Sequence, residues 1–344
     1  MGDPSQPNYD EPIVPDENPH GYDDPAFLTE SDVASSTQSL SSSVLNYQYE
    51  NGRRYHAFRE GEYPIPNDEV EQDRMDLNHH IHRLVVGGDL YRAPIDPSEM
   101  RILDLGTGTG IWAIEMADEF PGANVTGTDL SPIQPGLLPS NCRFEVDDFE
   151  SDWDFSKPFD FIHVRNLAGS VRDWTLLIQR IKDNLNNGGW VEMVDFDGGG
   201  IYCDDNTGQK APNIQDWVRF QQESSRSFGK DLDVAQYHKR WMIEAGFKNV
   251  HEEIYKASHL FVTIQVPLNP WPKDRKLKEL GRYEQANMMD GLEAYSLALY
   301  TRVLGWTPEE TRAFLAKVRR EIVDRSIHLY TKFYFVYGQK DEGE

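Results

Sequence analysis

Residues 101–196 alternate between short apolar runs and stretches whose apolar side chains recur at helical spacing. Positions 101–105 carry apolar residues at 102, 103 and 105 and read as a short buried strand. Further strands are expected at 124–129, 142–146, 159–164 and 190–196, the last after a turn at Asn187-Gly188-Gly189. Helices are expected at 111–120 and 173–185 between them. Upstream, residues 67–86 place Val70, Met75, Ile81, Leu84 and Val85 near helical spacing, with Asn67 as the cap. Downstream, 213–228 and 231–244 read as helices, with Gly246 as a stop, and 249–256 as a sixth strand. Residues 271–305 are helical and aromatic-rich. Thr307-Pro308-Glu309-Glu310 is a capping box that opens a helix to about residue 326. Residues 332–338 alternate and give a last strand. This pattern predicts an α/β fold of Rossmann-like type. Its sheet has seven strands, mostly parallel with an antiparallel last strand, and helices on both faces. A ligand crevice belongs at the C-terminal ends of the strands.

The turn after the first of these strands carries the candidate chemistry. Gly106, Gly108 and Gly110 alternate with Thr107 and Thr109 between a strand and a helix N-terminus. Glycine suits such a turn because a Cβ would block both the tight backbone and the ligand. A dinucleotide fingerprint spaces its glycines G-x-G-x-x-G and sets a pyrophosphate on the helix dipole. Here the spacing is G-x-G-x-G, and Asp104 lies two residues before the first glycine. A carboxylate there repels a pyrophosphate and attracts the ammonium and sulfonium of S-adenosylmethionine. Asp129, at the end of the next strand, can accept from ribose hydroxyls with either cofactor. Asp148, with Asp147 as the alternate, can accept from an adenine amine, and Phe149 offers a ring face. An NAD(P)-binding oxidoreductase remains the remote competitor.

Composition narrows the class. The chain has 344 residues and a formal net charge of −24, which opposes direct binding to a phosphate backbone. Its two cysteines, Cys142 and Cys203, form no disulfide framework and fit a reducing compartment; Cys142 is expected in the core. No signal peptide or membrane span is read, so the chain is expected in cytosol or nucleus, not secreted. Residues 1–45 are rich in Pro, Ser, Asp and Glu and are expected to be a disordered, solubilising tail. The sharper alternative is a partner-binding or phosphorylated arm around Ser35, Ser36 and Ser39 to Ser43.

Together these motifs resemble the class I S-adenosylmethionine-dependent methyltransferases. The flanks narrow the resemblance to the fungal LaeA-like family. They include 49–56 (YENGRRYH), 62–71 (EYPIPNDEVE), 74–80, 88–94 (GDLYRAP), 153–155 (WDF), 162–165 (IHVR), 189–192 (GWVE) and 334–338 (YFVYG). The resemblance covers about residues 46–340. It implies a plan of tail (1–45), lid segment (46–97), cofactor-binding core (98–256), helical cap (257–330) and last strand with tail (331–344). The cap shapes the acceptor pocket, forms a dimer surface or is plain packing. Under the lid, Tyr55 and His56 either contact the methionine end or pack the loop.

The resulting cofactor residues are Tyr55, Asp104, Gly106, Thr107, Gly108, Gly110, Asp129, Leu130, Asp147, Asp148, Phe149 and Arg165. Leu130 would pack near adenine, and Arg165 with Asn166 would lie beside the methionine moiety. No catalytic base is assigned. His163 and Asp195 lie on strands pointing at the crevice, and His163 is read as a core histidine rather than a base. His79, His80 and His82 lack the spacing and partners of a zinc site. Tyr202, Trp217, Trp241, Trp271 and Tyr295 could wall an aromatic pocket. The expected function is methylation of a small fungal metabolite at O, N or C. The alternative is a nuclear regulator of secondary metabolism working with velvet-type proteins, as the family's type member does.

Overall fold

The computed structural model describes residues 13–16, 47–255 and 265–343. A hairpin of β1 (Gln48–Glu50) and β2 (Arg53–Tyr55) leads into α1 (Glu69–Val85). The core then runs β3 (Arg101–Leu105), α2 (Ile111–Glu119), β4 (Asn124–Asp129), β5 (Cys142–Val146), β6 (Phe159–Arg165), α3 (Trp174–Asp183) and β7 (Leu185–Phe196). It continues through α4 (Pro212–Phe228), α5 (His238–Glu244) and β8 (Lys248–Tyr255). Then come β9 (Gln265–Pro267), α6 (Arg275–Leu299), α7 (Pro308–Ile322) and β10 (Tyr330–Gln339).

The main sheet has the order β5-β4-β3-β6-β7-β10-β8. Its strands are parallel from β5 to β7, and β10 is antiparallel to β7 and β8. The chain builds outward from β3 to β5, then returns to β6 on the other side of β3. Connections leaving β3 and β6 therefore diverge, which opens a crevice at their C-terminal ends. The expected seven-stranded sheet gains an eighth member, because β9 pairs with β10. Three residues are too few for a periodicity to reveal, and β9 lies in a segment read as wholly helical.

Strand alternation explains the layers. Leu103, Leu105, Ile162 and Val164 face α3 and α5, while Ile102 and Phe161 face Trp112, Ala113 and Met116 of α2. Each such buried side chain contributes about 1.5–3 kcal/mol of transfer free energy. Cys142 packs in the α2 layer, where burial raises its thiol to about 12. A separate core joins α4, α6 and α7 through Trp217, Leu292, Tyr300, Leu315 and Val318.

Several element ends differ from expectation. The cap of α1 is Asp68, not Asn67; its carboxylate accepts from Glu71 N and from Arg53 Nη2 (2.8 Å). Asn187-Gly188-Gly189 does not precede a strand but sits inside β7, as a bulge where pairing jumps from Phe159↔Leu185 to Phe161↔Trp190. The stretch 231–244 is helical only from 235, with α5 starting at His238. The long aromatic helix starts later, at Arg275, and ends in a π-helical turn (300–304) stopped by Gly305 at φ +71. The capping box forms as read: Thr307 Oγ1 accepts from Glu310 N (3.1 Å), and Glu310 accepts from Thr307 N (2.8 Å).

The proposed tail and its serines lie outside the described residues except for 13–16. There the chain is ordered against the cap rather than free. Pro15 bridges Pro272, Asp16 N donates to Trp271 O, and Lys278 pairs with Asp16. Lys256, the expected end of the sixth strand, also lies outside them. Among the described residues no helix is long and apolar enough to cross a membrane.

Candidate active site

A cavity of about 180 Å³ opens at the C-terminal ends of β3, β4 and β6. Its floor is the loop after β3. Gly106 and Gly108 adopt φ +66 and +59, a region that disfavours side chains. A Cβ on Gly106 would fall 2.6 Å from Leu167, and one on Gly108 3.1 Å from Met75 Sδ. The loop is therefore wedged between the exit of β6 and α1. Thr107 N donates to Thr128 O (2.9 Å), and Gly108 N donates to Asp129 Oδ2 (2.9 Å). The other oxygen of Asp129 accepts from Ser131 N (2.9 Å). Burial still raises the Asp129 carboxyl to about 6, against these donors.

Asp104 is buried beneath the loop. One oxygen lies 2.7 Å from His163 Nδ1, and the other accepts from Thr107 Oγ1 (2.5 Å). His163 stacks on Trp112 with centroids 3.7 Å apart and planes 5° from parallel. Burial lowers its pKa. His163 is thus a core histidine that orients Asp104, and it stays out of the cavity wall. Arg165 and Asn166 end β6 and do line the cavity. Arg165 donates to His79 Nδ1 (3.0 Å), whose Nε2 lies 3.0 Å from Glu115. Burial lowers Arg165 to about 10. Asn166 sits at φ +58, donates to Asn78, and leaves its buried Oδ1 with no partner among the described residues. An acceptor left so costs about 1–3 kcal/mol unless a ligand donor meets it.

Of the residues singled out by sequence, Asp104, Gly106, Thr107, Gly108, Asp129, Leu130, Asp148, Phe149 and Arg165 line this cavity. Gly110, Asp147 and Tyr55 do not. Gly110 is required for packing: a Cβ there would fall 2.4 Å from the Phe144 ring of β5. Asp147 accepts from Asp148 N (2.8 Å) and so shapes the turn that presents Asp148. Tyr55 is carried toward the cap, under the Arg302 guanidinium, by a tight turn at Asn51 and Gly52, both at positive φ. His56 turns back on Phe58 O and Tyr63 O and leaves the cavity.

The lid reaches the cavity through Arg59, Tyr63, Glu71 and Arg74, which the sequence reading left without roles, and through Asn67, which it read only as a helix cap. Arg59 lies 3.2 Å from Asp148 Oδ2, and Asn67 donates to Ser131 Oγ (3.1 Å). All but Arg59 fall in two quoted flanking stretches, 62–71 and 74–80, so the signal was present as motif without a role.

A second cavity, about 110 Å³, adjoins the first; Asn78, Ala168, Phe196, Lys230 and Tyr295 line both. Its walls are mainly apolar and include Trp217 and Phe228 of α4, Met288 of α6 and Phe333 of β10. Two of the five proposed aromatic residues, Trp217 and Tyr295, take part. Trp241 instead stacks on Trp174, Trp271 Nε1 donates to Leu329 O, and Tyr202 donates to Asp197. Asp195 does not point at the crevice. Phe196 lines it, so alternation sends Asp195 to the opposite face. There it accepts from Ala168 N (3.0 Å) and lies 3.5 Å from His238. The three histidines of α1 diverge: His79 to Arg165, His80 against Tyr283, His82 against Phe333.

Residues 77–252 match a family model described as a methyltransferase domain. The chain is 41% identical to the methyltransferase pytC of Aspergillus terreus over 310 residues, 90% of this chain and 93% of that one. It is 38% identical to the secondary metabolism regulator LAE1 of Cochliobolus heterostrophus over 297 residues, 84% and 93% of the two chains. With the secondary metabolism regulator laeA of Aspergillus flavus the identity is 33% over 330 residues, covering 95% and 86%. With these relatives aligned over most of its length, the chain belongs to the fungal LaeA-like family of S-adenosylmethionine-dependent methyltransferases.

Proposed function

We propose that this methyltransferase acts in fungal secondary metabolism and methylates a small-molecule acceptor at O, N or C. The observation that carries the reading is the pair of adjoining cavities, one lined by carboxylates and a glycine loop, the other by apolar side chains. The first suits S-adenosylmethionine. Its loop leaves no room for a Cβ at Gly106, which would meet Leu167, and Asn166 Oδ1 lacks a donor among the described residues. Asp104 and Asn166 would accept from the methionyl ammonium, with Arg165 beside its carboxylate. Asp129 would accept from the ribose hydroxyls and Asp148 from the adenine amine, with Leu130 and Phe149 flanking the base. Bound there, the cofactor supplies a methyl group on a good leaving group. The chain's own task is to position an acceptor and exclude water.

The test mixes methyl-labelled S-adenosylmethionine, purified protein and a fungal extract. The reading expects label in the organic-soluble fraction. Label confined to protein contradicts it.

A second reading is a regulator acting in a complex with a velvet-type protein. It is supported by the identity with two named regulators along most of the chain. Recovery of a stable complex with such a partner from the native source supports it, and a purified chain that turns over a small molecule by itself opposes it. Either role places the protein in cytosol or nucleus. The charge of −24 makes direct nucleic-acid contact unfavourable in both.

A further inference from the structure

The apolar cavity carries charge of both signs on its wall. Its ionisable lining residues among those described are Asp197, Lys230 and Glu284, with the phenol of Tyr295. Asp197 is satisfied, since it accepts from Gly199 N (3.0 Å) and Tyr202 OH (2.6 Å). Lys230 is 3% exposed, with Nζ 3.1 Å from Glu150 and 3.7 Å from Glu62. Glu284 is 4% exposed and makes no ion pair among the described residues; its Oε2 accepts one long bond from Asn287 Nδ2 (3.2 Å). The Arg74 guanidinium donates to Asn287 Oδ1 (2.7 Å) and is itself held by Glu71 (2.7 Å). Burial accordingly pushes Glu284 up to about 7. A buried carboxylate without a cation is costly, and its remaining accepting capacity can be met by a ligand donor.

We infer that this cavity takes an uncharged, hydrophobic acceptor whose hydroxyl donates to Glu284 and lies within the field of Lys230. The inference rests on the larger cavity being the methyl-donor site. A carboxylate acceptor meets Glu284, and an ammonium acceptor meets Lys230. Like charges 4 Å apart repel by about 4 kcal/mol at an effective dielectric of 20. A hydroxyl meets neither penalty and can donate to Glu284. The body of the ligand is set by Trp217, Leu268, Met288 and Phe333, which offer no partner for a charged or strongly hydrated group. The volume of about 110 Å³ is close to that of apolar cavities of about 150 Å³ that hold a single benzene ring.

The test uses 4-ethylphenol, 4-ethylbenzoate and 4-ethylbenzylamine as probes. Each is titrated calorimetrically at about pH 8 into protein saturated with S-adenosylhomocysteine. The phenol is expected to bind at least tenfold more tightly than either charged probe. Val218→Trp, which fills the cavity from α4, is expected to remove phenol binding. Glu284→Gln keeps an accepting oxygen and drops the charge, so it is expected to narrow the phenol-to-benzoate ratio to about threefold or less. The inference is overturned if a charged probe matches the phenol, if no probe binds, or if Glu284→Gln leaves the ratio unchanged. S-adenosylhomocysteine binding, measured first in each protein, separates the failures. Its absence from the wild type sinks the donor-site reading. Its presence without discrimination sinks this inference alone.

Discussion

The cavity at the ends of β3 and β4 and the cavity under α4 and α6 share a wall, yet they are built by different means. The first takes its shape from main chain: two glycines at positive φ, a loop amide on Asp129 and a strand-end αL residue, Asn166. The second takes its shape from side chains between Pro64 and Phe333, packed across segments with no local connection. Main-chain sites leave marks at fixed offsets in a sequence, whereas side-chain cavities leave almost none. The former should fail sharply on single changes, and the latter should retune.

The largest effect is expected at Gly108. Gly108→Val places a β-branched residue at φ +59, with its Cβ 3.1 Å from Met75 Sδ. S-adenosylmethionine binding should fall below calorimetric detection while the far-ultraviolet circular dichroism stays that of wild type. Asp129→Ala should follow, with a loss of about 3 kcal/mol or more in cofactor affinity. Two charge-assisted bonds go with it, each worth about 1.5–3 kcal/mol. Wild-type affinity in both variants would mean the pocket is misplaced.

Glu284→Gln should act on stability rather than on the cofactor. The carboxyl has an ordinary pKa of 4.5 and is held at about 7 in the folded chain. Between those values the folded state keeps a proton that the unfolded state has lost. Stability therefore falls as pH rises through that window, and the full penalty is present above it. The variant lacks the penalty. Its stability relative to wild type should grow by about 1–3 kcal/mol between about pH 5.5 and 8, read by urea unfolding without ligand. A difference constant with pH would show that burial does not shift Glu284. The smallest effect is expected at Asp16→Ala, which removes a partly exposed ion pair with Lys278. It should cost under about 1 kcal/mol and leave both cavities unchanged in ligand affinity.

The same contrast explains what was legible beforehand. The strands and the crevice followed from alternating apolar runs and from Asp104, Gly106, Gly108 and Asp129. Gly106, Gly108 and Asp129 each answer a backbone requirement. Gly110 shared their spacing but serves a ring, Phe144, that approaches from another strand. Tyr55 was misplaced because the Asn51-Gly52 turn went unread, although that dipeptide is a strong hairpin signal. Asp195 failed for want of a register: a shift of one residue decides which face a strand side chain takes. Lys230, Glu284 and Asn287 could not have been found, since they come to one cavity wall only after α4 and α6 pack. Residues 13–16 on the cap were equally hidden, because a single bridge in an acidic, Pro-rich stretch has no periodicity to show.

The most direct test of the two-cavity account is a calorimetric titration of S-adenosylmethionine into wild type, Gly108→Val and Val218→Trp. The account predicts one saturable site in wild type, the same affinity within about threefold in Val218→Trp, and no binding in Gly108→Val. Wild-type binding by Gly108→Val, or its loss in Val218→Trp with the fold intact, would contradict the assignment of the glycine loop to the cofactor and the cap to the acceptor.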